Sequence, residues 1–143
     1  MPDEAPPEVP YWDVWTDAEG ISRQTRRTIT SFDLREVAAG AAPVWVDDLP
    51  GTVTGSVLAV LPAGVVGEWH ENPVPQWIAV ISGRWFVETM DGTRVEMGAG
   101  ELSFGGDQGT RSADGRCGHR SGALDGQPAA LLLVQVDRSK ETS

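Results

Sequence analysis

The sequence predicts a single all-β domain, and three observations carry that expectation. Short runs rich in β-branched and aromatic residues recur along the chain. Turn residues bound them at intervals of roughly ten, the spacing of a sandwich or barrel. Only one short stretch between them has helical character, and strands that follow one another without helices make an antiparallel all-β domain.

The chain opens on the acidic, proline-rich segment Met1-Pro-Asp-Glu-Ala-Pro-Pro-Glu-Val-Pro10, which reads as a mobile tail over residues 1–10. Ser31–Val37 is the one helical candidate, with Ser31 as its N-cap. Val53–Val60, Gln76–Ser82, Trp85–Met90 and Ala130–Val136 are the clearest strands. Asp91-Gly92 separates Trp85–Met90 from Thr93–Met97, a strong signal for a tight hairpin. The domain is expected over residues 11–137, followed by a polar tail over 138–143.

At 143 residues the chain is long enough to bury a substantial core, and 40% hydrophobic with 22% charged residues describes a globular protein. No apolar run approaches the length needed to span a bilayer. The acidic start is the opposite of a signal peptide, which leads us to expect a cytoplasmic protein. Cys117 is the only cysteine, so neither an intramolecular disulfide nor a multi-cysteine zinc site can form. A net charge of −10 disfavours nucleic acid and anionic membranes, because both are gripped through Lys and Arg. The expected partners are a small molecule and a second copy of the chain.

Only two histidines occur, His70 and His119. Around the first, Gly64, His70, Asn72, Gln76 and Gly83 stand in the register Gly-x5-His-x-Asn-x3-Gln-x6-Gly. This resembles the first sequence motif of the cupin superfamily, in which a second His and a Glu occupy the positions of Asn72 and Gln76. The second motif is looser. Gly100-Glu101 stands where cupins carry Gly-Asp, Gly106 where they carry Pro, and Arg111 where their last His is expected. His119 follows eight residues later, beyond the polar stretch Thr110–Arg116, which reads as a loop insertion. Trp69-His70, Pro73, Gln76 and Gly118-His119 also resemble a subset of small single-domain cupins.

The resemblance covers roughly Asp17–Val136 and implies a double-stranded β-helix, the jelly-roll barrel of that superfamily. It also implies a homodimer paired through N-terminal strands, with Trp12 and Trp15 as contact candidates. A divalent metal, iron, nickel, zinc or manganese, would be held by His70, Gln76 and His119. Imidazole suits such ions, whereas an amide oxygen is a weak, neutral ligand. With Gln in place of Glu the site lacks an anion, so the metal would be held loosely but keep its full charge.

Strand alternation adds residues to this set. If Gln76 points inward, Ile78, Val80 and Ser82 follow it, and Trp77 faces outward. If His119 points inward, Cys117 and Ser121 do too. His70, His119 and Cys117 are therefore the catalytic candidates, Cys117 either as a thiol activated by imidazole or as a small buried hydrophobe. Asn72, Gln76, Trp45 and Trp69 are the substrate-binding candidates, the two indoles as walls for an aromatic ligand. Glu68, Glu71, Glu88 and Glu101 are candidate general bases if any faces inward. Three functions stay open: a metal-dependent dioxygenase or isomerase acting on an oxygenated metabolite, a metal-free cyclase or isomerase using histidine, and a binding module without turnover.

Overall fold

The computed structural model describes residues 5–139, and within them the chain forms eleven β-strands and no helix. β1 (Val9–Thr16) and β2 (Ser22–Ile29) form a hairpin, and β3 (Asp33–Arg35) pairs with β4 (Val44–Val46) as a small ribbon. The remaining strands are β5 (Thr52–Leu61), β6 (Gln76–Ser82), β7 (Arg84–Thr89), β8 (Arg94–Gly98), β9 (Leu102–Gly106), β10 (His119–Ala123) and β11 (Ala129–Asp137).

Their pairing makes two facing sheets. One runs β2-β1-β9-β6-β11-β5, and the other β10-β7-β8. Residues 65–70 extend the second sheet beyond β10. Val66 bridges Gly122, His70 bridges His119, and Gly67 N donates to Ser121 O at 2.9 Å. Counting that irregular segment as a strand, the two four-stranded halves read β5-β11-β6-β9 and 65–70-β10-β7-β8. Apart from the β7–β8 hairpin, consecutive strands thus alternate between opposing sheets, which is the winding of a jelly roll.

The core lies between the sheets. Val14, Ile78, Val80 and Leu131 from the first meet Trp85, Val87, Val95, Met97 and Ala123 from the second. Each such buried side chain contributes about 1.5–3 kcal/mol relative to exposure. The period-2 pattern that marks β6 and β7 in the sequence is the same pattern that sends these residues inward. On the outer face of the first sheet, Trp77 packs edge-on against Phe104 and Tyr11, with ring centroids 4.8 and 5.0 Å apart. Trp77 therefore faces away from the barrel interior, as its alternation with Gln76 requires.

Three expectations are corrected. Ser31–Val37 is not helical; Asp33–Arg35 pairs with Val44–Val46, because a stretch this short gains more from a ladder partner than from one isolated turn. The strands are not all antiparallel, since β1 runs parallel to β9. The N-terminal tail is shorter than residues 1–10, because β1 begins at Val9; residues 1–4 and 140–143 lie outside the described residues. Within its own chain β1 is paired on both edges, with β2 and β9. Trp12 packs on the core beneath the Arg26 guanidinium, and Trp15 Nε1 donates to Thr25 Oγ1 at 2.8 Å. Both indoles remain half-buried.

Candidate functional site

A cavity of about 440 Å³ opens at one end of the barrel, within the range of small-molecule sites. Its walls are apolar, built from Val57, Ala59 and Leu61 of β5, Ile78 of β6, Trp85 of β7, and Leu131 and Leu133 of β11. Its polar lining is His70, Asn72, Gln76 and His119, with Ser121 of β10 and Gln135, the partner of Gln76 on β11. The chain thus brings both imidazoles and the Gln76 amide to one cavity, although His70 and His119 are nearly fifty positions apart in sequence.

Local backbone chemistry explains how. His70 and His119 exchange both main-chain hydrogen bonds, each 2.9 Å, and their ring centroids lie 4.7 Å apart. Gly118, just before β10, makes this approach possible. Its φ is +56°, and a Cβ there would collide with the His70 carbonyl. Gly118 is pinned from both sides: its N–H donates to Thr110 Oγ1 at 2.9 Å, and its carbonyl accepts from buried Ser22 Oγ at 2.5 Å. Thr110 is held in turn by the Glu71 carboxylate, which accepts from the Thr110 N–H and hydroxyl and from Gly109 N–H. The loop that read as an insertion in the sequence is therefore the brace that sets His119.

Behind the ring of His119 stands a carboxylate. Asp107 Oδ2 lies 2.6 Å from His119 Nδ1, with Asp107 fully buried and His119 4% exposed. Asp107 Oδ1 accepts from the Asn72 backbone N–H at 3.4 Å and from Asn72 Nδ2 at 3.3 Å. Asn72 Oδ1 then accepts from Gln76 Nε2 at 2.9 Å. Gly105, opposite Gln76 on β9, has no side chain to obstruct this chain of groups; a Cβ there would strike the Asn72 amide. On the solvent side, His70 Nδ1 lies 2.7 Å from the Glu68 carbonyl.

Several sequence candidates lie elsewhere. Trp45 sits on the β3–β4 ribbon and does not border the cavity. Trp69 faces outward, with the Arg116 and Arg120 guanidinium groups 5.7 and 5.5 Å from its ring. The indole that does wall the cavity is Trp85. Cys117 is not beside His119 in the cavity; the positive φ of Gly118 breaks strand alternation, and Cys117 Sγ turns to the Trp69 carbonyl at 3.7 Å. None of the four glutamates lines the cavity. Glu71 braces the loop, Glu88 pairs with Arg120 at 2.6 Å, and Glu101 accepts from Gly98 N–H at 2.6 Å. Glu68 contributes only its backbone carbonyl.

Sequence reasoning missed Asp107. An acid directly after a Gly-Gly strand end reads as an ordinary turn residue, and its partner His119 is twelve positions away across a loop. Among the described residues, no three His, Cys, Asp or Glu side chains gather in a way that could hold a metal ion. The metal set expected from the sequence uses an amide as its third donor and is not of that type.

The strand order, with His70 and Gln76 on the first-motif segment and His119 opening β10, settles the architecture. The fold is cupin-like. No family model matches the chain, and no curated protein does. Among solved structures, a cupin protein (BF4112) from Bacteroides fragilis is 22% identical, with a TM-score of 0.40 over 80% of this chain and 92% of that one. Protein NMB1881 from Neisseria meningitidis is 12% identical, with a TM-score of 0.42 over 64% of this chain and 88% of that one. No helix among the described residues is long and apolar enough to cross a membrane.

Proposed function

We propose that this cupin-like chain is a small-molecule enzyme in which His119, oriented by Asp107, transfers protons at the head of an apolar-walled cavity. The observation that carries the reading is the 2.6 Å contact between two almost fully buried side chains, one of which borders the cavity. A carboxylate can only accept a hydrogen bond, so Nδ1 of neutral His119 carries the proton and Nε2 is left as the base. When Nε2 takes a proton from a substrate, the imidazolium forms against a carboxylate already in place. Positioned acid–base groups of this kind contribute about 10²–10⁴-fold in rate. Isomerisation or cyclisation of an oxygenated metabolite needs no more than a proton removed at one atom and returned at another.

The test is hydrogen exchange. Wild-type protein and His119→Asn are incubated in D2O with a panel of small carbonyl compounds, and deuterium uptake is read by NMR. We expect uptake with wild type and a loss of about 100-fold or more in the variant. Equal uptake by both proteins overturns the reading.

A second reading, a divalent metal on His70, Gln76 and His119, is favoured by one specific feature. Both imidazoles have Nδ1 engaged, by Glu68 and by Asp107, which is how outer groups orient metal-binding histidines. The donor set fits an ion weakly, because it contains no anion. Bound there, iron, nickel, zinc or manganese would supply Lewis acidity or a redox centre. Metal analysis of protein purified without an affinity tag tests it. Stoichiometric metal supports this reading. Its absence, with no response to added iron, nickel, zinc or manganese, removes it.

A further inference from the structure

The polarity of the site is set by Asp107 and can be followed outward one group at a time. Because the carboxylate only accepts, Asn72 must turn its Nδ2 toward Asp107 and its Oδ1 away. Oδ1 faces Gln76, so Gln76 must present Nε2 to it. Gln76 Oε1 is then the end of that amide left without a protein partner among the described residues. His119 is fixed the same way, with Nδ1 on Asp107 and Nε2 an acceptor. His70 gives Nδ1 to the Glu68 carbonyl and keeps Nε2 as an acceptor too. These three groups bordering the cavity therefore offer lone pairs, and a single buried carboxylate orients two of them; Ser121 and Gln135, also on the lining, can donate as well as accept.

Charge narrows the ligand further. Among the described residues, no Lys, Arg, Asp or Glu borders the cavity. A carboxylate or phosphate would find no cation to pair with, in a protein whose net charge is −10. An ammonium group would find no free acid, since both oxygens of Asp107 are already engaged.

We propose that the ligand is an uncharged molecule whose apolar body lies against Val57, Ile78, Leu131 and Leu133, and whose hydroxyl group donates into the acceptors His119 Nε2 and Gln76 Oε1. This deepens, and rests on, the acid–base reading: the hydroxyl proton passes to His119 Nε2, its electron pair stays on oxygen, and the imidazolium is the only new cation beside it.

Three probes of one shape separate the possibilities: 2-naphthol, 2-methoxynaphthalene and 2-naphthoate. Binding to the full chain is measured by calorimetry at neutral pH with chelator present. Naphthol is expected to bind at least tenfold tighter than both others. The inference is overturned if the methyl ether matches naphthol, if the carboxylate matches it, or if naphthol fails to bind at millimolar concentration. A preference for naphthoate that emerges only on adding a divalent ion also overturns it, in favour of the metal reading. As a second measurement, Asn72→Ala frees the Gln76 amide to rotate, and the naphthol-to-ether ratio is expected to shrink. Loss of deuterium exchange in His119→Asn concerns the acid–base reading alone, so the two can fail separately.

Discussion

Asp107 and His119 meet at 2.6 Å across a twelve-residue loop, and among the described residues no other carboxylate touches the polar end of the cavity. This pairing places one negative charge behind the ring that faces the ligand, and it gives the loop a structural purpose as well as a chemical one.

Removing that charge has a cost in stability. Asp107→Ala leaves the His119 N–H and the Asn72 amide buried without their acceptor. Leaving a buried donor without its acceptor costs about 1–3 kcal/mol. Urea unfolding of wild type and variant measures it; a change below about 1 kcal/mol would mean that the pair is not formed in solution.

Asp107→Asn separates charge from shape. An amide can present its NH2 to His119 Nδ1 and so hold the opposite tautomer, with the proton on Nε2. The parallel change in a Ser-His-Asp triad lowers kcat by about 10⁴. Nitrogen NMR of the two histidines is expected to show His119 changing its protonated nitrogen while His70 keeps its own.

Gly118→Ala tests the approach of the two histidine strands. The residue has φ +56°, and a Cβ meets the His70 carbonyl. Strain of this kind costs about 1–3 kcal/mol. Thermal unfolding is expected to show the loss, and the His70 and His119 ring resonances are expected to shift together.

Gln76→Glu bears on the metal reading. It adds the anionic donor that the site lacks, and it takes away the hydrogen bond to Asn72 Oδ1. Opposite charges 4 Å apart attract by about 1 kcal/mol in bulk water and about 4 kcal/mol in the lower dielectric near a protein. Nickel or zinc is expected to bind this variant about tenfold more tightly or better, as read by equilibrium dialysis. No gain places the amide away from any cation site.

A pH effect is expected at the β1–β2 turn. Asp17 is held below the ordinary carboxylate value of 3.8, first by the Ile21 backbone N–H and then by Arg23. A carboxylate whose folded value is depressed contributes stability above its unfolded value and loses it as pH falls through the folded one. Asp17→Asn is therefore expected to lower Tm at neutral pH. The gap from wild type should close as the pH is taken below 3.8.

Much of the site was legible in the sequence. The register of Gly64, His70, Gln76 and Gly83, through its resemblance to the first cupin motif, located one side of the cavity. Strand alternation sent Trp77 outward and Gln76, Ile78 and Ser121 inward. It failed at Cys117, where a glycine of positive φ intervenes before the strand begins, and at Ser82, which is exposed at the end of β6 where the register with β11 shifts. Alternation is a property of regular backbone and stops where the backbone stops being regular.

The sequence alone determined an all-β chain, the positions of its main strands, and the two histidines around which chemistry could be built. Only the tertiary structure decided that Asp107 stands behind His119, that Trp85 rather than Trp45 or Trp69 walls the cavity, and that Asn72 turns the Gln76 amide. The physical reason is range. Hydrophobic periodicity acts between near neighbours on one strand, whereas these contacts depend on where a loop returns after a dozen residues. That return is fixed by Glu71, Thr110 and Ser22, none of which shares a local pattern with the groups it positions.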